Sequence, residues 1–151
     1  MTIVASSPSE LPELVGRKAT GDWFTIDQDR IQAFADATED WQWIHLDAER
    51  AAAGPFGATI AHGYLTLSLL PRLADRLLSV DGVGMAVNYG LDRVRFLQPV
   101  IAGSRVRAVT ELTDASGGEQ GWRAGLHTVV EIEGSTRPAL VADTVALFVP
   151  A

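Results

Sequence analysis

The chain has 151 residues, 47% of them hydrophobic and 21% charged, which is ordinary for one globular domain with a sizeable core. Its formal net charge of −7 argues against nucleic acid as a main partner, because phosphate binding needs clustered lysine and arginine. It contains no cysteine, which excludes disulfides, thiolate metal sites and cysteine nucleophiles.

The first residues predict no membrane attachment and no export. Residues 1–9 are polar and contain serine and proline, which predicts a flexible arm ahead of a single domain over residues 10–151. No stretch approaches the roughly 20 apolar residues that a membrane span needs, and no basic region followed by an apolar run indicates a secretory signal. We therefore expect a cytoplasmic protein.

The first half of the chain has helical patterns. Residues 25–28 fit a capping box, which predicts a helix from Thr25 to about Thr38. Residues 46–53 predict a second, short helix. Residues 64–78 carry leucine on most faces and predict a long buried helix, which Pro71 would kink or divide.

The second half of the chain has the patterns of β-strands. Alternating or continuous apolar residues predict strands over 85–96, 105–113, 122–132 and 139–149, with turns at 116–118 and 134–135. Helices followed by an antiparallel meander indicate an α+β fold, in which the buried helix packs against one curved sheet.

Asp40 and His45 are the residues best suited to acid–base chemistry. On a regular helix their side chains would point about 140° apart, so residues 41–43 must turn the chain if the two are to share a water. A solvated turn carboxylate and a packed imidazole are the simpler alternatives.

The pair His62-Gly63 stands where the apolar helix is predicted to begin. The first N–H groups of a helix have no internal partner, so the Gly63 N–H could stabilise a developing negative charge. Alternatively, Gly63 only permits a tight turn and His62 only caps or packs there.

These residues resemble the motifs of the MaoC-like (R)-specific enoyl-CoA hydratases and 3-hydroxyacyl-thioester dehydratases. Asp40, Ile44 and His45 fall on fixed positions of the hydratase motif. Residues 60–64 (IAHGY) are similar to the second signature of the family, and residues 88–100 are similar to its central strand, closest to the branch related to nodulation protein N.

The resemblance implies a hotdog fold, with a long central helix wrapped by an antiparallel β-sheet, and a homodimer whose sheets join edge to edge. It implies reversible water addition to a 2-enoyl thioester of coenzyme A or acyl carrier protein, without metal or other cofactor. Asp40 and His45 would exchange protons with one water, and the Gly63 N–H would hold the thioester oxygen.

The chain departs from the family pattern at two places. Glu39 stands where the family usually has glycine, and Gln42-Trp43 stands where it usually has Asn-Pro. The catalytic residue types are unchanged, whereas tryptophan in place of proline removes a rigid turn and alters the shape of the pocket.

Six further residues are candidates for substrate binding: Gln42, Trp43, Phe56, His62, Tyr64 and Ser68. For the aromatic ones, packing is the alternative. Arg93 and Arg95 could meet phosphates of the substrate carrier, although solvated strand residues are the simpler interpretation. The chain has three histidines, His45, His62 and His127, and their spacing in the sequence is not that of metal ligands.

Two other functions fit parts of the sequence. Hotdog thioesterases commonly carry a carboxylate in the first turns of the central helix, whereas residues 64–70 contain none and Asp75 comes too late. A non-catalytic thioester-binding subunit would be consistent with the two departures, and the intact Asp40 and His45 argue against it.

Overall fold

The computed structural model describes all 151 residues as an antiparallel sheet with five short α-helices. The strands are β1 Ile3–Ala5, β2 Lys18–Thr20, β3 Phe24–Thr25, β4 Leu78–Val80, β5 Val83–Phe96, β6 Arg105–Gly118, β7 Gly121–Ile132 and β8 Leu140–Pro150. The helices are α1 Gln28–Thr38, α2 Trp43–Leu46, α3 Ala48–Ala52, α4 Gly63–Ser68 and α5 Leu70–Leu73, and Pro8–Leu14 is a 3-10 helix.

The main sheet has the strand order β2-β6-β7-β8-β5, and β3 also pairs with β6. All of these pairings are antiparallel. One face of the sheet packs against the segment α4–α5, because Leu65, Leu69 and Leu73 share one buried cluster with Val130 of β7. The α+β prediction, with a buried helical segment on one sheet, is confirmed.

The central helical segment is shorter than the sequence predicted. Instead of one helix over 64–78, α4 ends at Ser68, α5 ends at Leu73, and residues 78–80 form strand β4. Pro71 explains the division, since proline has no N–H for the carbonyl of Leu67 and its ring collides with the preceding turn. The prediction that Pro71 divides the helix is confirmed, and the predicted length is wrong.

The N-terminal residues differ from the predicted flexible arm. Strand β1 pairs in parallel with β4, with Ile3 opposite Leu78 and Ala5 opposite Val80. The side chains of Ile3 and Ala5 are buried. A three-residue strand is too short for a recognisable periodicity, and its partner lies far along the chain, which is why the sequence pattern missed it.

Two predicted boundaries are also different in the structure. Asp27, and not Thr25, caps α1, since its Oδ1 accepts a hydrogen bond from the Arg30 N–H at 2.8 Å. The predicted turn at 116–118 lies inside β6. This strand continues to Gly118, which pairs with Gly121, so the hairpin turns at residues 119–120.

Glu39 ends α1 in the left-handed region, with φ 59° and ψ 30°. A side chain other than glycine is strained there, which explains why glycine would suit this position. We expect Glu39→Gly to raise the free energy of unfolding by about 1 kcal/mol, with little change in activity. Urea unfolding at equilibrium measures this, and an unchanged or lowered stability would contradict the argument.

None of the helices combines the length and the apolar character that crossing a lipid bilayer requires.

Candidate active site

The turn between α1 and α2 brings Asp40 close to His45. Residues 40–42 are not helical, and α2 then carries the imidazole. One carboxylate oxygen of Asp40 and one ring nitrogen each of His45 and His62 lie within 4.8 Å of one another. A water hydrogen-bonded to two partners fits between atoms about 4.6 Å apart. The structure therefore has the turn that a shared water requires.

The tautomer of His45 follows from its contact with the main chain. Its ring is buried, and Nδ1 lies 2.7 Å from the carbonyl oxygen of Ile60. A carbonyl oxygen only accepts, so Nδ1 carries the proton and, in the neutral ring, Nε2 has the free lone pair. The imidazole is thus oriented to take a proton at Nε2.

Burial lowers the pKa of His45 below its ordinary value of 6.5. The neighbouring His62 also lowers this pKa, whereas the hydrogen bond to Ile60 and the charge of Asp40 raise it. Since the lowering contributions dominate, His45 is a neutral base at pH 7.

His62 is buried against His45. Its ring stacks on that of His45, with centroids 3.7 Å apart and planes 23° apart. Nε2 donates to the main-chain oxygen of Asp40 at 3.0 Å, while the buried Nδ1 has no partner in the chain. His62 therefore ties the Asp40 backbone to the His45 ring.

The stacking bears on whether this cluster suits a metal ion. Two imidazoles and a carboxylate are zinc ligands in principle, and sequence spacing gave no sign that His45 and His62 meet. However, each ring already has one nitrogen facing a carbonyl oxygen, and the remaining lone pairs lie in two stacked ring planes, which keeps them from converging on one ion. The arrangement suits proton transfer better than coordination of one ion.

A cavity of about 350 Å³ opens beside His45 and Gly63. Its far wall is formed by residues 96–100, where β5 ends. The N–H of Gly63 faces no acceptor within the chain, as expected for the first residue of a helix. A Cβ at Gly63 would lie 3.0 Å from the ring of Phe96, a tighter contact than side chains normally make, so glycine suits this close approach.

A second cavity of about 570 Å³ lies between α4–α5 and strands β5, β7 and β8. Its lining is mostly apolar and includes Ser68, one of the predicted substrate-binding residues. A hydrocarbon chain fits such a surface better than a charged group does.

The other predicted binding residues lie outside the lining of the His45 cavity. Gln42 contributes its main chain, since its N–H lies 3.4 Å from Oδ1 of Asp40. The ring of Trp43 packs under the guanidinium of Arg50, 4.2 Å from the ring centroid. Phe56 is exposed.

Tyr64 is 69% exposed and meets the edge of the Phe96 ring, with centroids 6.0 Å apart. Arg93 and Arg95 are exposed on β5, and Arg95 donates to the carbonyl of its neighbour Val94. His127 pairs with Asp143 at 2.6 Å on the sheet. The structure thus places Tyr64 against Phe96, outside the cavity lining, and gives His127 a partner on the sheet.

Sequence reasoning missed two residues of this site. The side-chain amide of Gln28 donates to the carbonyl of His45 at 2.7 Å and accepts from the hydroxyl of Thr59 at 2.6 Å. The only signal in the sequence was the capping-box pattern, which assigned Gln28 to the start of its own helix. Because Asp27 caps α1, the Gln28 side chain is free to reach His45.

The sequence is similar to that of known proteins over nearly its whole length. Residues 11–133 match the sequence profile of the MaoC-like domain. The chain is 51% identical over 145 residues to 3-hydroxyacyl-thioester dehydratase Z of Mycobacterium tuberculosis, covering 95% of this chain and 96% of that protein. It is 44% identical over 148 residues to nodulation protein N of Rhizobium leguminosarum, covering 96% and 90%.

Among solved structures, the (R)-hydratase of Aeromonas caviae involved in PHA biosynthesis superposes with a TM-score of 0.67. Its sequence is 28% identical, and the alignment covers 89% of this chain and 96% of that one. The antiparallel sheet with its helical segment is therefore the hotdog fold that the resemblance implied.

Proposed function

The chain belongs to the family of MaoC-like domains, and we propose that it adds water reversibly to a trans-2-enoyl thioester to give a (3R)-3-hydroxyacyl thioester. Membership of this family makes the chain a hydro-lyase. The observation that carries the finer proposal is the carboxylate of Asp40 within 4.8 Å of a His45 ring nitrogen, beside a cavity lined by Gly63, whose N–H has no acceptor in the chain.

In hydration, Asp40 and Nε2 of His45 hold one water. Nε2 accepts a proton as the water oxygen bonds to C3, and the electrons of the double bond move towards the thioester oxygen. The enolate then takes a proton at C2 from the His45 imidazolium, which restores the neutral ring. Dehydration is the same sequence in reverse.

Gly63 stabilises the charge on the thioester oxygen. Its N–H has no acceptor in the chain, and the residue lines the cavity, so the N–H is free to hydrogen-bond the oxygen as the enolate forms. Because α4 has only six residues, this single donor matters more than the helix dipole.

The acyl group occupies the larger, apolar cavity beside Ser68, and the thioester lies in the smaller one. The substrate carrier is coenzyme A or an acyl carrier protein. No carboxylate stands in α4, which leaves no direct base for thioester hydrolysis in its first turn.

The test follows the 2-enoyl absorbance when the protein meets crotonyl-CoA, a longer 2-enoyl-CoA and the matching carrier-protein thioester. Loss of absorbance with a (3R)-hydroxyacyl product supports the proposal. Release of free thiol would indicate a thioesterase. Binding without turnover of any of the three substrates would indicate a non-catalytic thioester-binding subunit.

The pH dependence should reflect the buried base. Because burial lowers the pKa of His45, kcat/KM should stay constant through pH 7 and fall only below pH 6.5. A fall with an apparent pKa above 6.5 would contradict the assignment. The initial rate of hydration from pH 5 to 8, with enzyme stability checked at each pH, measures this.

The same group affects stability. Unfolded His45 takes up its proton near pH 6.5, whereas the folded ring resists protonation, so the unfolded state binds more protons below that pH. Its contribution to stability is complete above pH 6.5 and is lost as the pH falls towards the folded pKa. His45→Gln should remove this part of the stability profile.

We also propose that the protein is a homodimer joined through β5. One edge of this strand pairs with β8 and the other is unpaired, although the strand has 14 residues and exposes Met85, Val87 and Leu91. A long apolar edge of this kind normally pairs with another chain. Dimerisation would cover it.

We expect light scattering to give about twice the chain mass of 16.2 kDa. Met85→Lys with Val87→Lys should produce monomers, because charge on an edge strand prevents pairing. Val15→Lys, at an exposed valine outside β5, is the control. A monomeric native protein would refute the dimer.

A further inference from the structure

The helix that carries His45 is too short to be stable without contacts to the rest of the protein. Helix α2 has four residues, Trp43–Leu46, which is about one turn. A single turn is unstable by itself, because fixing its backbone is not offset by enough hydrogen bonds. The orientation of the imidazole must therefore come from contacts outside α2.

Three connections join α2 to the segment 59–60, two of them direct hydrogen bonds. The ring of His45 donates to the Ile60 carbonyl at 2.7 Å, and the Ile60 N–H donates to the Ile44 carbonyl at 3.0 Å. The third is a bridge: Gln28 donates to the His45 carbonyl and accepts from the Thr59 hydroxyl. Helix α1 thus reaches both segments through one side chain.

We propose that Gln28 is a positioning residue for the reaction, whose amide clamps the His45 backbone to Thr59 and so fixes the imidazole against the Ile60 carbonyl. Its effect on turnover rests on the proposed hydratase function. Its effect on the imidazole can be measured without any substrate.

The clamp needs a side chain that donates at one end and accepts at the other. The amide of Gln28 does both, at 2.7 Å and 2.6 Å. A glutamate could accept from Thr59 but would place a carboxylate oxygen against the carbonyl of His45. Thr59 is buried, so losing Gln28 leaves a polar group without water or partner.

The primary experiment is nitrogen NMR of the imidazoles across a pH titration, which is tractable because the chain has only three histidines. In the native protein, His45 should show a proton fixed on Nδ1. Gln28→Met keeps the length of the side chain and removes both hydrogen bonds. It should give a mixture of the two tautomers and move the titration of His45 to lower pH, because the hydrogen bond to Ile60 that raises its pKa is weakened.

Kinetics provide the second measurement. Gln28→Met should lower kcat roughly 10- to 100-fold with KM changed little, since misplacing a base acts on the chemical step. Gln28→Glu, nearly the same shape, should move the acid limb of kcat/KM to higher pH, because a new negative charge beside His45 favours its protonated form.

Two further variants separate positioning from general stability. Gln32→Met makes the same change one turn along α1, where the amide contacts only Asp36, and should leave the His45 titration and kcat unchanged. Adding Thr59→Val to Gln28→Met should cause little further loss, because both act through one clamp.

The proposal is overturned if folded Gln28→Met or Gln28→Glu shows the native tautomer and titration of His45. If the native protein hydrates no enoyl thioester, the proposed function fails, and the NMR result still decides whether Gln28 fixes the ring.

Discussion

Replacing Asp40 by asparagine should lower kcat by about three orders of magnitude and leave thioester binding nearly unchanged. An amide has the shape of the carboxylate but carries no charge and directs N–H donors where the carboxylate accepts. Asp40 is exposed, so the change buries no new group. The 2-enoyl absorbance assay measures turnover, and calorimetry with a saturated acyl-CoA measures binding.

Asp22→Asn is the matched control, because Asp22 is an exposed carboxylate between β2 and β3 and far from the cluster in sequence. Near-normal turnover in Asp40→Asn would refute the role of the Asp40 carboxylate in holding the reacting water. Loss of binding together with turnover would show that Asp40 holds the ligand, in which case the mechanism above is wrong.

A methyl group at Gly63 should lower kcat/KM about 100-fold. The added Cβ would lie 3.0 Å from the Phe96 ring, so we expect the first turn of α4 to shift away from the ring by a few tenths of an ångström. The N–H then moves relative to the thioester oxygen. The measurement is kcat/KM of four proteins: the native protein, Gly63→Ala, Phe96→Ala and the double variant.

The double variant should regain much of the lost activity, because removing the Phe96 ring makes room for the methyl group. Gly118→Ala is the control, since a Cβ there would meet its nearest atom at an ordinary 3.9 Å. If Gly63→Ala is fully active, the position of this N–H does not limit the reaction. If the double variant is as impaired as Gly63→Ala, the contact with Phe96 is not the cause.

The strands could be predicted because their signal is local. Residues 122–132 alternate between core and surface, and the structure buries Ala124, Thr128, Val130 and Ile132 as that pattern indicates. The predicted central helix was too long, because leucines continue beyond Leu73 and the apolar pattern does not show where the helical segment ends. Apolar periodicity therefore located elements better than it located their ends.

The candidate site was predictable in its residue types and not in its supporting contacts. Asp40, His45 and Gly63 could be chosen because few residue types perform acid–base chemistry or permit an exposed N–H. The stacking of His62 on His45, and the bridge from Gln28 to Thr59, join residues 17 and 31 positions apart. Such contacts depend on the tertiary fold, which no local pattern encodes.

The parallel pairing of β1 with β4 has a consequence for synthesis. Ile3 pairs with Leu78, so the first strand has no partner until about half of the chain has left the ribosome. Contacts between such distant residues form late, because a long loop must close first. During translation the earliest residues therefore wait unpaired, and a nascent chain arrested before residue 78 should leave them open to proteolysis.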